Sequence, residues 1–483
     1  MIRRSIEIPI RWLALTGIAV GGAVFAGSAR AEGPVDVRID CSRRMGEVRA
    51  LHGVNNGPVN YGETIDLSAY YRRAAFPLVR LHDSEWPNPD VVDMHAVFPD
   101  LRADPNRPES YRFGRTDDYV KAIVDSGGGI VYRLGESIET TRRKVHVNPP
   151  ADCRRWAEAC VGIIRHYNEG WAEGFRYKIR YWEIWNEPEN RPNMWTGTDE
   201  DYYRLYATAA RRIKGRFPSL MVGGPSTGSI GEVKDGRLLP TSFLKGFIGH
   251  CKKHRAPLDF FSWHTYSDDP YVFALKARAV RRYLDEQGYR KTENHLNEWN
   301  YLPDNDWRPI SVAGQGITRQ RWYARQGGAE GAAFLACGLM HLQDSPVDVA
   351  NYYRGDANPF GLFNWHGVPK KTYHAMRAFR MLLETPLRVK ASGGQPGHLA
   401  VCAGVNKDRT ALTVLIGNFR HQARTLDLRI APVPWQGTAR WELRRLDSGK
   451  DLEPVRSGAM PGRQLRLDAK CPAPCVIVIK VNK

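Results

Sequence analysis

Short runs rich in Val, Ile, Phe, Tyr or Trp recur from residue 48 to about residue 353, and stretches of helical length separate them. Eight of these runs read as strands: Val48–Val54, Leu78–His82, Gly129–Leu134, Ile179–Trp185, Leu220–Gly223, Leu258–His264, Glu293–Glu298 and Val347–Tyr352. Amphipathic patterning between them predicts helices over Arg154–Tyr167, Asp199–Phe217, Ser242–His254, Tyr271–Glu286 and Thr318–Leu342. Strand and helix alternating eight times over roughly 300 residues is the arithmetic of an α/β fold, the (β/α)8 TIM barrel, whose parallel strands are buried on both sides.

The texture changes after a helix near Lys371–Leu383. Leu399–Val405, Thr410–Asn418, Arg424–Ile430, Ala439–Leu446 and Cys475–Val481 read as short strands separated by turn residues, which predicts a C-terminal antiparallel β-sandwich of about 100 residues. Before the barrel, Arg3, Arg4 and Arg11 precede an apolar stretch from Trp12 to Phe25, and Ser28-Ala29-Arg30-Ala31 supplies small residues for cleavage. That is the pattern of an export signal, and the apolar run is shorter than the ~20 residues a spanning helix needs. The expected division is a signal peptide over 1–31, a catalytic barrel over 32–383 and a β-sandwich over 384–483 that a strand from 34–45 can join. The mature protein is expected outside the cytoplasm, periplasmic or secreted, with no stable membrane insertion.

Lys and Arg outnumber Asp and Glu by 70 to 52 in the 483 residues, a net charge of +18. Removing the leader takes four Arg and one Glu and leaves about +15. The basic residues are scattered rather than clustered, and with an export signal this argues against a nucleic-acid partner and weakly for an anionic glycan. Eight cysteines are too few for a disulfide scaffold; Cys471 with Cys475 and Cys153 with Cys160 are the local candidates for bridges, with free thiols the alternative. No C-x-x-C pair, H-E-x-x-H helix, Walker motif or G-x-G-x-x-G loop appears, so no metal or cofactor is expected.

The strongest chemical feature is Tyr181-Trp182-Glu183-Ile184-Trp185-Asn186-Glu187-Pro188-Glu189 at the end of the fourth strand. A second carboxylate, in Leu296-Asn297-Glu298-Trp299-Asn300, ends the seventh. Active sites of such barrels lie at the carboxyl ends of the strands. Glycoside hydrolysis needs two carboxyl groups flanking the scissile bond, one to protonate the leaving oxygen and one to attack carbon or activate water. Glu187 and Glu298 are that pair, Glu187 as acid/base and Glu298 as ionised nucleophile, with a like charge expected to keep the acid protonated. Retention needs about 5–5.5 Å between the carboxyls and inversion about 6.5–9.5 Å.

On these residues the chain resembles the clan A glycoside hydrolases, and within them family 39, the β-xylosidase and α-L-iduronidase family, over about residues 35–480. WNEPE at 185–189, WHTY at 263–266 and FGLFNWHGVPKKTYHAM at 360–376 carry the likeness. The resemblance implies retention by double displacement, a (β/α)8 barrel and an accessory β-sandwich. It also implies that Asn186 bonds the sugar 2-hydroxyl and that His264 and Tyr266 orient the nucleophile or contact the substrate. Arg80 and His82 at the end of strand two and His52 in strand one are placed for the same subsite, the alternative for Arg80 being an ion pair with Asp83. Trp299, Trp365 and Trp195 could stack on sugar faces or pack in the core. The expected partner is an oligo- or polysaccharide, β-xylosidase-like or acidic. Two rivals remain: a non-catalytic carbohydrate-binding protein on the same fold, and a serine esterase at Ser226 in Gly224-Pro225-Ser226-Thr227-Gly228, a motif that requires a helix directly after the serine.

Overall fold

The computed structural model describes residues 33–311 and 314–483, so the leader lies outside the described residues. Eight parallel strands close into a barrel: Gly53–Asn55, Leu78–Leu81, Gly129–Leu134, Tyr181–Ile184, Met221–Thr227, Phe260–Ser267, Glu293–Tyr301 and Val349–Tyr352. They follow one another around the barrel in chain order, and the eighth pairs with the first. The first is shorter and later than its apolar run. At Gly53 the neighbouring strands come so close that a Cβ would meet Asn351 Nδ2 at 2.7 Å and the Ala350 and Leu78 carbonyl oxygens at 2.8 and 2.9 Å. Val48 instead bonds the Pro386 carbonyl, at the junction with the C-terminal sheet.

Three of the helices start where the sequence supplies a side-chain cap. Asp152 accepts the N–H groups of Arg154 and Arg155 to open Cys153–Asn168, and Thr198 and Asp201 form a reciprocal capping box for Asp199–Arg216. The segment expected as one helix over Thr318–Leu342 is two, Gly316–Gly327 and Ala329–Leu342, with extended Gly328 between them. A Cβ on Gly328 would lie 2.3 Å from the Ala324 carbonyl oxygen, so the break depends on glycine. None of the described helices is long and apolar enough to cross a membrane.

Nine strands form the second sheet. Five match the expected runs closely, whereas Leu387–Ser392, Asp451–Met460 and Leu465–Lys470 are additional. Val35–Glu47 inserts between Leu387–Ser392, to which it is antiparallel, and Thr425–Ile430, to which it is parallel, so this sandwich-like sheet is mixed at one ladder. Alternation explains the nearly continuous apolar run of Cys475–Asn482. Ile477, Ile479 and Val481 face the sheet's own core, while Val476 and Val478 join the barrel's core cluster. On that shared side the Cys337 thiol of helix Ala329–Leu342 donates to the Gly417 carbonyl at 3.1 Å. The sheet is thereby bolted to the barrel. All eight cysteines are unbridged, so neither candidate pair is a disulfide here.

Candidate active site

Strand four gives way to its loop at Trp185, Asn186 and Glu187, and both Trp185 (φ 71°) and Glu187 (φ 42°) are in the left-handed region. Such backbone costs about 1 kcal/mol or more in a residue other than glycine and persists where the surroundings hold it. Here the Glu187 N–H donates to the Ser226 carbonyl at 2.9 Å and Asn190 Nδ2 donates to Glu187 Oε2 at 3.0 Å. Glu298 lies near the end of strand seven and reaches the same space. One oxygen of Glu187, Nδ1 of His264 and one oxygen of Glu298 lie within 4.8 Å of one another.

Arg80 organises the floor of this site. Its Nε donates to Glu183 Oε2 at 2.6 Å, Nη1 to Glu298 Oε1 at 2.9 Å and Asn55 Oδ1 at 3.0 Å, and Nη2 to Asn186 Oδ1 at 2.6 Å and Ser226 Oγ at 2.7 Å. Five N–H groups meet five acceptors in a side chain with no solvent exposure. The alternative pairing with Asp83 does not form. Asp83 accepts from Ile138 N–H and the Tyr353 hydroxyl, both at 2.9 Å. Tyr266 donates its hydroxyl to the other oxygen of Glu298 at 2.8 Å. His264 Nδ1 stands 2.7 Å from Glu187 Oε1 and 3.4 Å from Glu298 Oε2, with Nε2 2.8 Å from Ser226 Oγ. His82 Nε2 is 3.7 Å from Glu298 Oε1.

Burial is the largest influence on both carboxyls and raises each above the ordinary glutamate range. For Glu298, His264 and Arg80 pull back and the charge of Glu187 pushes up. For Glu187 the opposing pull comes from Asn190 and Arg80, and the like charge that counts is Asp83 rather than the expected Glu298. Burial pushes His264 down to about 4 and His82 to about 3, so both imidazoles are neutral near pH 7.

The residues line a cavity of about 840 Å³ with His82, Asn186, Glu187, Tyr266 and Glu298 in its wall. Several expected contacts are elsewhere. His52 is buried beside Phe76 and Phe379, with Nε2 3.2 Å from the Ala74 carbonyl oxygen. Trp299 alternates to the outer side of the strand that carries Glu298 and packs against Phe273 and Tyr352. Trp195 is fully buried against Trp185, and Trp365, though 54% exposed, is not in the cavity wall. Aromatic surfaces in the cavity wall include Trp86 and Trp307, 50% and 45% exposed, with Tyr266, Tyr323, Tyr353 and Phe360. Both Trp residues sit in irregular segments, where no periodicity marks them.

Ser226 is fully buried, bonded to Arg80 and Asn297, and is followed by the hairpin of Gly231–Lys234 with Arg237–Pro240 before any helix begins. It therefore lacks both the access and the helix an esterase nucleophile needs. Among the described residues two groups have the spacing of metal ligands, Glu187 with His264 and Glu298, and Asp93 with His95 and Glu136. In each a guanidinium already holds one carboxylate, Arg80 on Glu298 and Arg133 on Asp93, which offsets the negative charge a cation would draw on.

The profile described as glycosyl hydrolases family 39 matches residues 67–296, a span that contains Glu187 and stops two residues before Glu298. β-Xylosidases of Geobacillus stearothermophilus and Caldicellulosiruptor saccharolyticus are each 26% identical, over 264 and 302 residues, covering 50% and 56% of this chain and 48% and 55% of theirs. The chain thus spans about half the length of these curated relatives. A crystal structure of a glucosidase from Croceicoccus marinus superposes with a TM-score of 0.79 at 25% identity, over 94% of this chain and 100% of that one. A monomeric β-xylosidase from Caulobacter crescentus shares the fold, with a TM-score of 0.69 at 17% identity over 93% of this chain and 99% of that one. The family profile and the curated relatives make this chain similar to glycosyl hydrolases family 39 over much of its barrel.

Proposed function

We propose that the protein is a retaining glycoside hydrolase that cleaves O-glycosidic bonds by double displacement. The observation that carries the reading is the approach of Glu187 and Glu298, one oxygen of each lying within 4.8 Å of the other, which favours the short spacing of retention over the wider gap that inversion leaves for a water. Glu298 attacks the anomeric carbon while protonated Glu187 gives its proton to the departing oxygen, so one C–O bond breaks as the glycosyl ester forms. Glu187, now anionic, takes a proton from water, which attacks the same carbon and releases Glu298 as carboxylate. Arg80 and Tyr266 hold one oxygen of Glu298 each, fixing its rotamer and favouring its charged form. Asn186, anchored by Oδ1 to Arg80, keeps its amide nitrogen for a sugar hydroxyl, and Trp86 and Trp307 offer flat faces to sugar rings.

The names of the curated relatives favour a β-xyloside. A second reading, an acidic glycan, draws on Lys276: it lines the cavity, donates to Thr265 Oγ1 at 2.6 Å and makes no ion pair among the described residues. A panel of aryl glycosides and uronic-acid polysaccharides with product analysis decides between them, turnover of the polysaccharides alone excluding the xyloside. For the mechanism, Glu298→Ala should lower turnover of an activated aryl glycoside at least about a thousand-fold. Azide should restore a product of inverted anomeric configuration, and a retained product would move the nucleophile elsewhere.

A further inference from the structure

Asp83 follows His82 past the end of strand two, in left-handed backbone (φ 49°), and lies in the cavity wall with Glu187 and Glu298. Its side chain is held from three sides. Oδ1 accepts from the Ile138 N–H at 2.9 Å and faces His82 Nε2, and Oδ2 accepts from the Tyr353 hydroxyl at 2.9 Å. Arg354 Nη2 donates to the Asp83 carbonyl at 3.2 Å. Burial alone would raise this carboxyl, but His82, the Ile138 N–H and Arg354 outweigh it and hold Asp83 below the ordinary aspartate range, ionised at neutral pH. Left-handed backbone and a buried charge each cost free energy, and the double displacement as written uses neither.

His82 joins Asp83 to the chemistry. Its Nε2 is 3.2 Å from Asp83 Oδ1 and 3.7 Å from Glu298 Oε1, so one ring nitrogen faces two carboxylates. A nitrogen that carries its proton is attracted to both, which puts the N–H on Nε2 and leaves Nδ1, buried and without a partner, as the bare nitrogen. The charges around the site then divide the pair. At Glu187 the negative charge of Asp83 outweighs the positive charge of Arg80, whereas at Glu298 Arg80 outweighs Asp83. Hydrogen bonding gives the reason: Arg80 Nη1 donates directly to Glu298 at 2.9 Å, while its remaining bonds go to Glu183, Asn55, Asn186 and Ser226 and none to Glu187. The opposed charges pull the two glutamates apart, one towards its protonated form and one towards its ionised form.

We propose that Asp83 is a positioning residue for the catalytic pair: it holds the His82 N–H at the edge of Glu298 and keeps a fixed negative charge in the cavity wall that favours the protonated acid at Glu187. The inference rests on Glu187 being the acid/base. The groups facing Asp83 are His82 on its own strand end, and Tyr353 and Arg354 from the loop after strand eight, while Arg133 of strand three acts on it through His82. Those facing Glu187 are Arg80 from strand two, Glu189 from its own loop, His264 and Tyr266 from strand six and Glu298 from strand seven, with Lys276 the ammonium in the cavity wall. Asp83 ionises before Glu187, so the charge left by the first loss acts on the second.

Asp83→Asn removes the charge and keeps an acceptor oxygen. On an aryl glycoside with a poor leaving group, which needs the acid, the basic limb of kcat/KM should move about one pH unit downward, and the acidic limb less. A residue that only braced its loop would lower kcat/KM evenly across pH, so a basic limb superimposable on that of the unaltered protein overturns the proposal. If the variant does not fold, carbon-13 NMR of the side-chain carboxyls in the unaltered protein decides, each signal assigned through its backbone amide. Asp83 should stay ionised to below the ordinary aspartate value of about 3.9 while Glu187 titrates above the ordinary glutamate value of about 4.3. Asp83 taking up its proton at or above the pH at which Glu187 does so overturns the proposal. The titration needs no turnover. Full hydrolysis of the poor leaving group by Glu187→Gln would instead sink the acid/base reading and leave the order of titration intact, so the two failures are distinct.

Discussion

Arg80 on the second barrel strand and Arg133 on the third are both fully buried, and each pairs with a carboxylate near a histidine, yet they are satisfied very differently. Arg80 spends its donors on residues of strands one, four, five and seven and their ends, tying much of the barrel to one guanidinium. Arg133 uses Nη2 alone, on Asp93 and Ser137, and its Nε and Nη1 have no partner. The first is a hub at which strands from distant parts of the chain converge. The second is a local brace between one loop and the end of one strand. The two guanidiniums differ in how many strands they join and in how fully their donors are used.

That contrast can be broken, beginning with its largest consequence. Arg80→Met leaves Glu183 and Glu298 as uncompensated buried charges, a loss of about 3–5 kcal/mol, and should abolish turnover in the folded fraction. Arg133→Met should cost less, because two of its nitrogens gain nothing from folding, and should leave kcat/KM within about two-fold. Denaturant midpoints and kinetics on the two variants check both, and equal loss of activity would erase the distinction.

The smallest effect is in pH dependence. Burial lowers the His95 imidazole, but the hydrogen bond and charge of Glu136, with Asp93 and Glu85, outweigh it and hold His95 at about 9. Its ordinary value is about 6.5, so its stabilisation is complete below that pH and is lost as pH rises to about 9. Glu136, raised to about 7 chiefly by burial, loses stability in the same direction from about pH 4.5 to 7. His95→Gln should therefore flatten the decline in unfolding free energy between pH 6.5 and 9. A parent protein equally stable at both ends would remove the charged pair from the comparison.

How far the sequence anticipates this site follows from what periodicity encodes. Strong alternation and long amphipathic runs place the barrel strands and most helices within a few residues, and Asn186-Glu187 and Glu298 fall at strand ends because the barrel puts its loops there. The strand Asp451–Met460 was illegible because it lies exposed at the sheet's edge and carries no apolar alternation. Of the two places open to Trp299, a sugar face or the core, the structure takes the core, because the two-residue period of a strand turns it to the face opposite Glu298. The links from Arg80 to Glu183 and Ser226, and from Asn297 to the same two side chains, join residues far apart in the chain, and only closure of the barrel brings them together.

The strand Val35–Glu47 leaves its sheet partners to the far end of the chain. During synthesis it emerges before any barrel strand and waits for Leu387–Ser392 and Thr425–Ile430 to follow the whole barrel out. A fragment starting after the barrel would carry both partners without the strand that joins them, leaving two open edges where the sheet is now continuous. The second sheet is a seam that cannot close before its C-terminal strands are made, and it draws the two ends of the described chain into a single clasp.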